Sequence, residues 1–321
     1  MDLSTPSPGR PDVRTADLDG PVSWVDHGGP ADGQLVVAVH GLGGSHANWH
    51  DLAPLLARQH RVVAVDLAGH GRTPRAGRSA SIPANCELLG RFLSEVDDRP
   101  AVLMGNSMGG ALSVLHAAAH PASVAGLALI GPALPRSAWP SRALARQVAL
   151  FAVPGLAERS LARRRVRLGA EAFVDATLAL TCSDPSSVSP EVRELAVQMA
   201  CERSLDPDAD AAFLEAARSL AVLVARAARY RALIASVQVP GVVLQGSEDK
   251  LVPAGGTAML AELQPDWTVH LLDGVGHVPQ IEAPERTAAL LLPFLADLSR
   301  TRTGDRVIDL TSGPGVLASA S

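Results

Sequence analysis

The chain has 321 residues, 47% of them apolar and 19% charged, with a formal net charge of −5 and a pI near 6.0. That composition supports a full hydrophobic core and excludes a disordered chain. The acidic balance argues against a nucleic-acid binder, which needs a basic stripe, and at roughly 150 residues per domain the length fits one large domain or a core with an insertion.

Residues 1–20, rich in Pro, Ser, Asp and Gly, read as a loose N-terminal arm without the apolar run of a secretory signal. Short apolar runs follow at Leu35–Val39, Val62–Val65, Ala101–Met104 and Val124–Ile130. Such runs, separated by helical patterns, are expected of buried parallel strands. The pattern resumes at Val242–Gln245 and Thr268–Leu272. Between them the sequence reads as helical, with a helix start at Ser189-Pro190-Glu191 and a long helical run over Ala209–Ala235. The fold class is therefore α/β: a mostly parallel central sheet flanked by helices, with an inserted helical lid. The expected division is a core of residues 21–134 and 236–298, a lid of 135–235 and a C-terminal tail of 299–321. Three scattered cysteines (Cys86, Cys182, Cys201) form no CxxC pair and read as reduced thiols. No run of 18 apolar residues occurs, so no stable membrane insertion is expected and a cytoplasmic location is inferred.

The strongest chemical signal is Gly105-Asn106-Ser107-Met108-Gly109-Gly110, which joins the strand AVLM to the helical pattern ALSVLHAAAH. A serine on a strand-to-helix turn is exposed at a strained angle, and small neighbours let the two elements approach. The competing reading is an ordinary glycine-rich turn. His40-Gly41-Leu42-Gly43-Gly44 follows another strand. Its Leu42 amide and the Met108 amide are candidate donors to the oxyanion formed in acyl transfer; the competing reading is a plain strand-end turn.

These segments, with Asp66-Leu-Ala-Gly-His-Gly-Arg72 after the strand RVVAV, resemble the α/β-hydrolase fold family in its lidded, esterase- and lipase-like serine-hydrolase branch. The resemblance covers about residues 21–298 and implies the chain order nucleophile, acid, histidine. After Ser107 the histidines are His116, His120, His270 and His277. The first two lie on the following helix and His270 sits within a strand run. His277 stands in Gly274-Val-Gly276-His277 through Glu282-Ala-Pro284, which is similar to the family's GxGHxxxxExP loop, so the resemblance implies His277 as general base. Likewise Gly246-Ser-Glu248-Asp249 through Pro253 resembles the GxxDxxxP segment, which implies Asp249 as the acid, with Glu248 the adjacent rival.

Substrate-binding candidates are His40, Gly41, Trp139, Phe151, Phe173 and Phe213; most of the aromatic residues, with Tyr230, read equally as lid core. His40, His46 and His50 could be drawn as a metal cluster, but no carboxylate or cysteine pattern completes it and no metal is expected. Asp66 and Arg72 read as shaping their loop. A serine nucleophile, in place of the aspartate of haloalkane dehalogenases and epoxide hydrolases, favours hydrolysis of a small-molecule carboxylic ester with an apolar acyl or alcohol group, without a cofactor. Three readings stay beside it: a carbon–carbon hydrolase of the meta-cleavage-product type, which GNSMGG resembles although Val278 and HGLGG depart from it; lactone or perhydrolase chemistry; and a slow-turnover ligand sensor.

Overall fold

The computed structural model describes residues 12–135 and 155–304. Eight strands form one sheet: β1 (Asp12–Asp17), β2 (Pro21–Asp26), β3 (Leu35–Val39), β4 (Arg61–Val65), β5 (Ala101–Asn106), β6 (Val124–Ile130), β7 (Gly241–Gly246) and β8 (Thr268–Leu272), in the spatial order β1-β2-β4-β3-β5-β6-β7-β8. β3 to β8 run parallel, and β1 and β2 are antiparallel at one edge.

The apolar runs explain why this sheet is covered on both sides. Side chains alternate across a strand, and here both alternating sets are apolar. Val37, Val63, Leu103, Leu127 and Val243 join one core cluster, and Val36, Val62, Val102, Ala128 and Val242 join the other. The first is closed by helices α2 (Ile82–Val96) and α3 (Met108–Ala119), the second by α1 (Leu52–Ala57) and a C-terminal helix, Pro284–Gly304.

Among the described residues, four α-helices come between β6 and β7: α4 (Leu156–Thr181), kinked at Gly169 with φ +72°, α5 (Pro190–Ser204), α6 (Ala209–Ala225) and α7 (Ala227–Ala235). Ser189 caps α5 through the Val192 N–H, as the Ser-Pro-Glu start predicts. After β7 come α8 (Gly256–Leu263), α9 (Pro279–Glu282) and α10 (Pro284–Gly304).

Three expectations need correction. Residues 12–17, assigned to the arm, form edge strand β1, paired with β2 from Asp12 opposite Asp26 to Asp17 opposite Pro21. Five of its six side chains are exposed, so DVRTAD carries no apolar signal. The Ala209–Ala235 run breaks at Arg226, where ψ is 51°, with no proline or glycine to announce it. The start of the tail is helical as well, because α10 runs on to Gly304.

Candidate active site

The candidate site lies at the carboxyl ends of the parallel strands, where the loops after β3, β5, β7 and β8 meet. Ser107, between β5 and α3, has φ 52° and ψ −112°, a left-handed backbone angle that an L residue reaches only under strain. The surroundings hold it there. Its N–H donates to the Ile130 carbonyl at 3.1 Å, and its own carbonyl accepts from Ala133 N at 2.9 Å. The glycines beside it are obligatory: a Cβ on Gly109 would stand 2.0 Å from the Val39 carbonyl oxygen, and one on Gly105 would stand 2.5 Å from the Gly109 carbonyl. Met108 is the first residue of α3, where a backbone N–H has no intrahelical acceptor.

The loop after β3 turns tightly beside the serine. Gly44 N donates to Gly41 O at 3.0 Å, with Gly43 at φ +74°. Leu42 occupies the second position of this turn, so its N–H is not used by the turn hydrogen bond. Gly41 lies close against the serine, since a Cβ there would come within 3.1 Å of Ser107 Cβ. His40 is fully buried: its Nε2 accepts from Leu67 N at 3.1 Å, which leaves Nδ1 to donate to the Gly41 carbonyl at 2.7 Å. Burial lowers its pKa against the opposing charge of Asp66, so it is a neutral brace.

A second brace flanks this loop. Asp66, buried after β4, accepts the His46 backbone N–H at 2.7 Å, His46 Nδ1 at 2.8 Å and the Arg72 N–H at 2.8 Å. Arg72 in turn forms a two-point ion pair with Glu202 of α5, at 2.9 and 3.0 Å. Asp66 and Arg72 thus shape the loop, as the sequence implies. Among the described residues no group of three or more His, Cys, Asp or Glu side chains could hold a metal ion.

On the opposite side, Asp249 lies in the loop after β7. Its Oδ1 accepts the N–H groups of Leu251 and Val252, both at 2.8 Å, and its Oδ2 accepts Gln245 Nε2 at 2.8 Å and His277 Nδ1 at 2.7 Å. Burial pushes the carboxyl pKa up, but the His277 hydrogen bond and charge and the two N–H donors outweigh it, holding Asp249 below the usual carboxylate range. Its rival, Glu248, is exposed. His277, 4% exposed, follows β8; its carbonyl accepts Asn106 Nδ2 at 3.2 Å, which pins the histidine loop to the residue before Ser107. Gly131, at φ +48°, makes the approach possible: a Cβ there would meet His277 Nδ1 at 3.3 Å and Asp249 Oδ2 at 3.4 Å.

The remaining downstream histidines stand elsewhere. His270 pairs within β8 opposite Leu244, His120 is exposed at the end of α3, and buried His116 contacts Ser123 Oγ at 3.0 Å. Of the aromatic candidates, Phe213 on α6 lies over the turn, with its ring 3.1 Å from where a Gly43 Cβ would be. Phe173 on α4 lies under the Arg164 guanidinium at 5.9 Å. Tyr230 is buried, its hydroxyl donating to Ala133 O at 2.9 Å. Trp139 and Phe151 fall outside the described residues. Three contributors escaped sequence reasoning: Asn106, Gln245 and Glu282. Gln245 carried a signal, a polar residue inside an otherwise apolar strand run; the other two lay within the quoted motifs without a partner being evident.

The chain matches the family model for the alpha/beta hydrolase fold over residues 34–284 and belongs to that family. It is 32% identical over 274 residues to the dihydrolipoyllysine-residue acetyltransferase component of the acetoin cleaving system of Pseudomonas putida, covering 85% of this chain and 66% of that protein. It is also 37% identical over 147 residues to lipase LipV of Mycobacterium tuberculosis, 46% of this chain and 55% of that one. The chain therefore spans between half and two thirds of these relatives. A haloalkane dehalogenase loop variant from Bradyrhizobium elkanii shares the fold with a TM-score of 0.77 at 21% identity, covering 92% of this chain and all of that one. No helix among the described residues is long and apolar enough to cross a membrane.

Proposed function

We propose that the protein hydrolyses carboxylic esters through an acyl-enzyme on Ser107. The observation that carries this reading is the 2.7 Å bond from His277 Nδ1 to Asp249, in a loop that Asn106 fastens beside a strained serine elbow. Asp249 fixes the tautomer that carries its proton on Nδ1, leaving Nε2 to accept a proton. His277 takes the Ser107 hydroxyl proton as Oγ attacks the ester carbonyl carbon. The negative oxygen so formed is stabilised by the N–H groups of Leu42 and Met108. Collapse breaks the ester C–O bond, and His277 returns the proton to the departing alcohol. Water, deprotonated by His277, then attacks the acyl carbon and releases the acid and free Ser107.

The helices between β6 and β7 serve as a lid, and Phe213 above the Gly43 turn favours an apolar acyl or alcohol group. The lipase relative supports the same class of bond. Hydrolysis of p-nitrophenyl esters from acetate to palmitate tests the reading. The expected result is multiple turnover with a chain-length optimum, abolished in Ser107→Ala. A single stoichiometric burst, or turnover surviving in Ser107→Ala, overturns it.

A further inference from the structure

His277 sits on a seam. Its ring and carbonyl face the core, through Asp249 and Asn106, but its backbone N–H donates to Thr181 O at 2.6 Å, the last residue of α4. The preceding Gly276 is pressed on the same segment: a Cβ there would lie 2.5 Å from Thr181 O and 2.6 Å from Ser183 N. On the other side of His277, Val278 and Ile281 share an apolar cluster with Val174, Leu178, Cys182 and Val192 of the inserted helices. The histidine loop therefore packs between the core and the insertion.

One carboxylate spans the seam. Glu282, 7% exposed, accepts Gly276 N–H on Oε2 at 2.7 Å and the N–H groups of Ser183 and Asp184 on Oε1, both at 2.8 Å. Charge-assisted bonds of this kind are about twice as strong as neutral ones. The placement works against the dipole of α4, whose C-terminal end disfavours negative charge. A carboxylate that only filled space would gain nothing here; one that joins two backbone segments does.

We propose that Glu282 is a positioning residue for catalysis. It ties the histidine loop to the end of α4, so that the inserted helices help to set where the His277 ring points. This inference rests on the Ser107–His277–Asp249 reading. It adds that the loop's geometry is held from outside the core, by residues 98 and 99 positions away in the chain.

Glu282→Gln keeps the volume but replaces one accepting oxygen with a donor, so one side of the bridge is lost. A misplacement of about 1 Å at a reacting group costs about 100-fold. The expected result is a fall in kcat of about 10- to 100-fold, with KM changed little. The low-field proton resonance expected of His277 Nδ1 in the wild type should broaden or move in the variant. Glu282→Asp, which retains the charge on a shorter arm, should recover part of the loss. A folded Glu282→Gln with unchanged kcat and an unchanged resonance overturns the proposal. Hydrogen exchange on the wild type supplies a reading that needs no variant: the amides of Gly276, Ser183 and Asp184 should share one protection factor, and independent exchange overturns the coupling. If wild-type turnover does not depend on Ser107, the ester reading falls. The resonance and the exchange pattern would still decide the role of Glu282.

Discussion

Among the described residues stand two aspartate–histidine pairs of nearly the same geometry. Asp249 accepts His277 Nδ1 at 2.7 Å, and Asp66 accepts His46 Nδ1 at 2.8 Å. Both carboxyls are buried, and in both cases burial raises the pKa while hydrogen bonds and the histidine's charge lower it further, to a net value below the usual range. Their settings differ. Asp66 is wrapped by its own loop, with a Gly71 Cβ excluded at 2.2 Å from its carboxylate, and it also takes the backbone N–H of the histidine it pairs with. Asp249 leaves the backbone of its histidine to Asn106 and Thr181. The first pair closes a local turn, whereas the second suspends a side chain between distant segments. Pair geometry alone does not distinguish the two; what each histidine is held beside does.

Replacing each acid in turn should separate the two. Asp249→Asn lets the His277 ring adopt the wrong tautomer, and kcat should fall about 10⁴-fold with little loss of stability. Asp66→Asn leaves buried donors without their charged acceptor, and denaturant titration should show a loss of about 3 kcal/mol. Its folded fraction should retain far more activity than Asp249→Asn. Equal kinetic losses would erase the distinction.

Stability against pH sharpens the comparison further. Burial, then the charges of His50 and His46, lowers the His27 pKa to about 4, and burial followed by His120 lowers that of His116 to about 4. A histidine depressed in the folded state takes up its proton more readily when unfolded. Stability is thus full above pH 6.5 and declines as the pH falls from there towards 4. The two paired aspartates, lowered from 3.8, contribute fully above that value and lose their contribution only as the pH drops below it. Denaturation at pH 8, 5.5 and 4.5 should show the first decline already at pH 5.5, flattened in His116→Gln. An unchanged slope in that variant would point away from His116. The smallest effect is expected from Phe213→Ala, which opens space over Gly43. It should move the ester chain-length optimum towards longer acyl groups with little change in stability, and an unmoved optimum would place the acyl pocket elsewhere.

Much of this was legible in sequence, for physical reasons that differ by region. The strands from β3 to β7 announce themselves because both faces are buried, which makes the runs nearly continuously apolar. β1 is invisible for the converse reason, being an edge strand with exposed side chains. Ser107, Asp249 and His277 stand in short motifs whose spacing is local, and the structure brings Asp249 and His277 into contact and fastens the His277 loop to the residue before Ser107. Glu282 lay in plain view within the histidine motif. Its meaning depended on Ser183 and Asp184, and no local pattern reports a contact across that much chain. Arg72 is similar: its partner, Glu202, is 130 residues on.

The crossover from β6 to β7 also has a temporal meaning. The two strands are parallel neighbours, with Leu129 opposite Val243, yet the whole insertion is translated between them. At about 5–20 residues per second, roughly 5 to 20 seconds separate their emergence from the ribosome. Through that interval the edge of Val124–Ile130 that will face β7 has no sheet partner, and the Ser107 turn has been synthesised without Asp249 or His277. Nascent chains stalled near residue 235 should therefore be protease-sensitive at β6 and bind holdase chaperones, and resistance at that length would show that the inserted helices shield the edge first. The nascent chain carries Ser107 well before it carries Asp249 and His277.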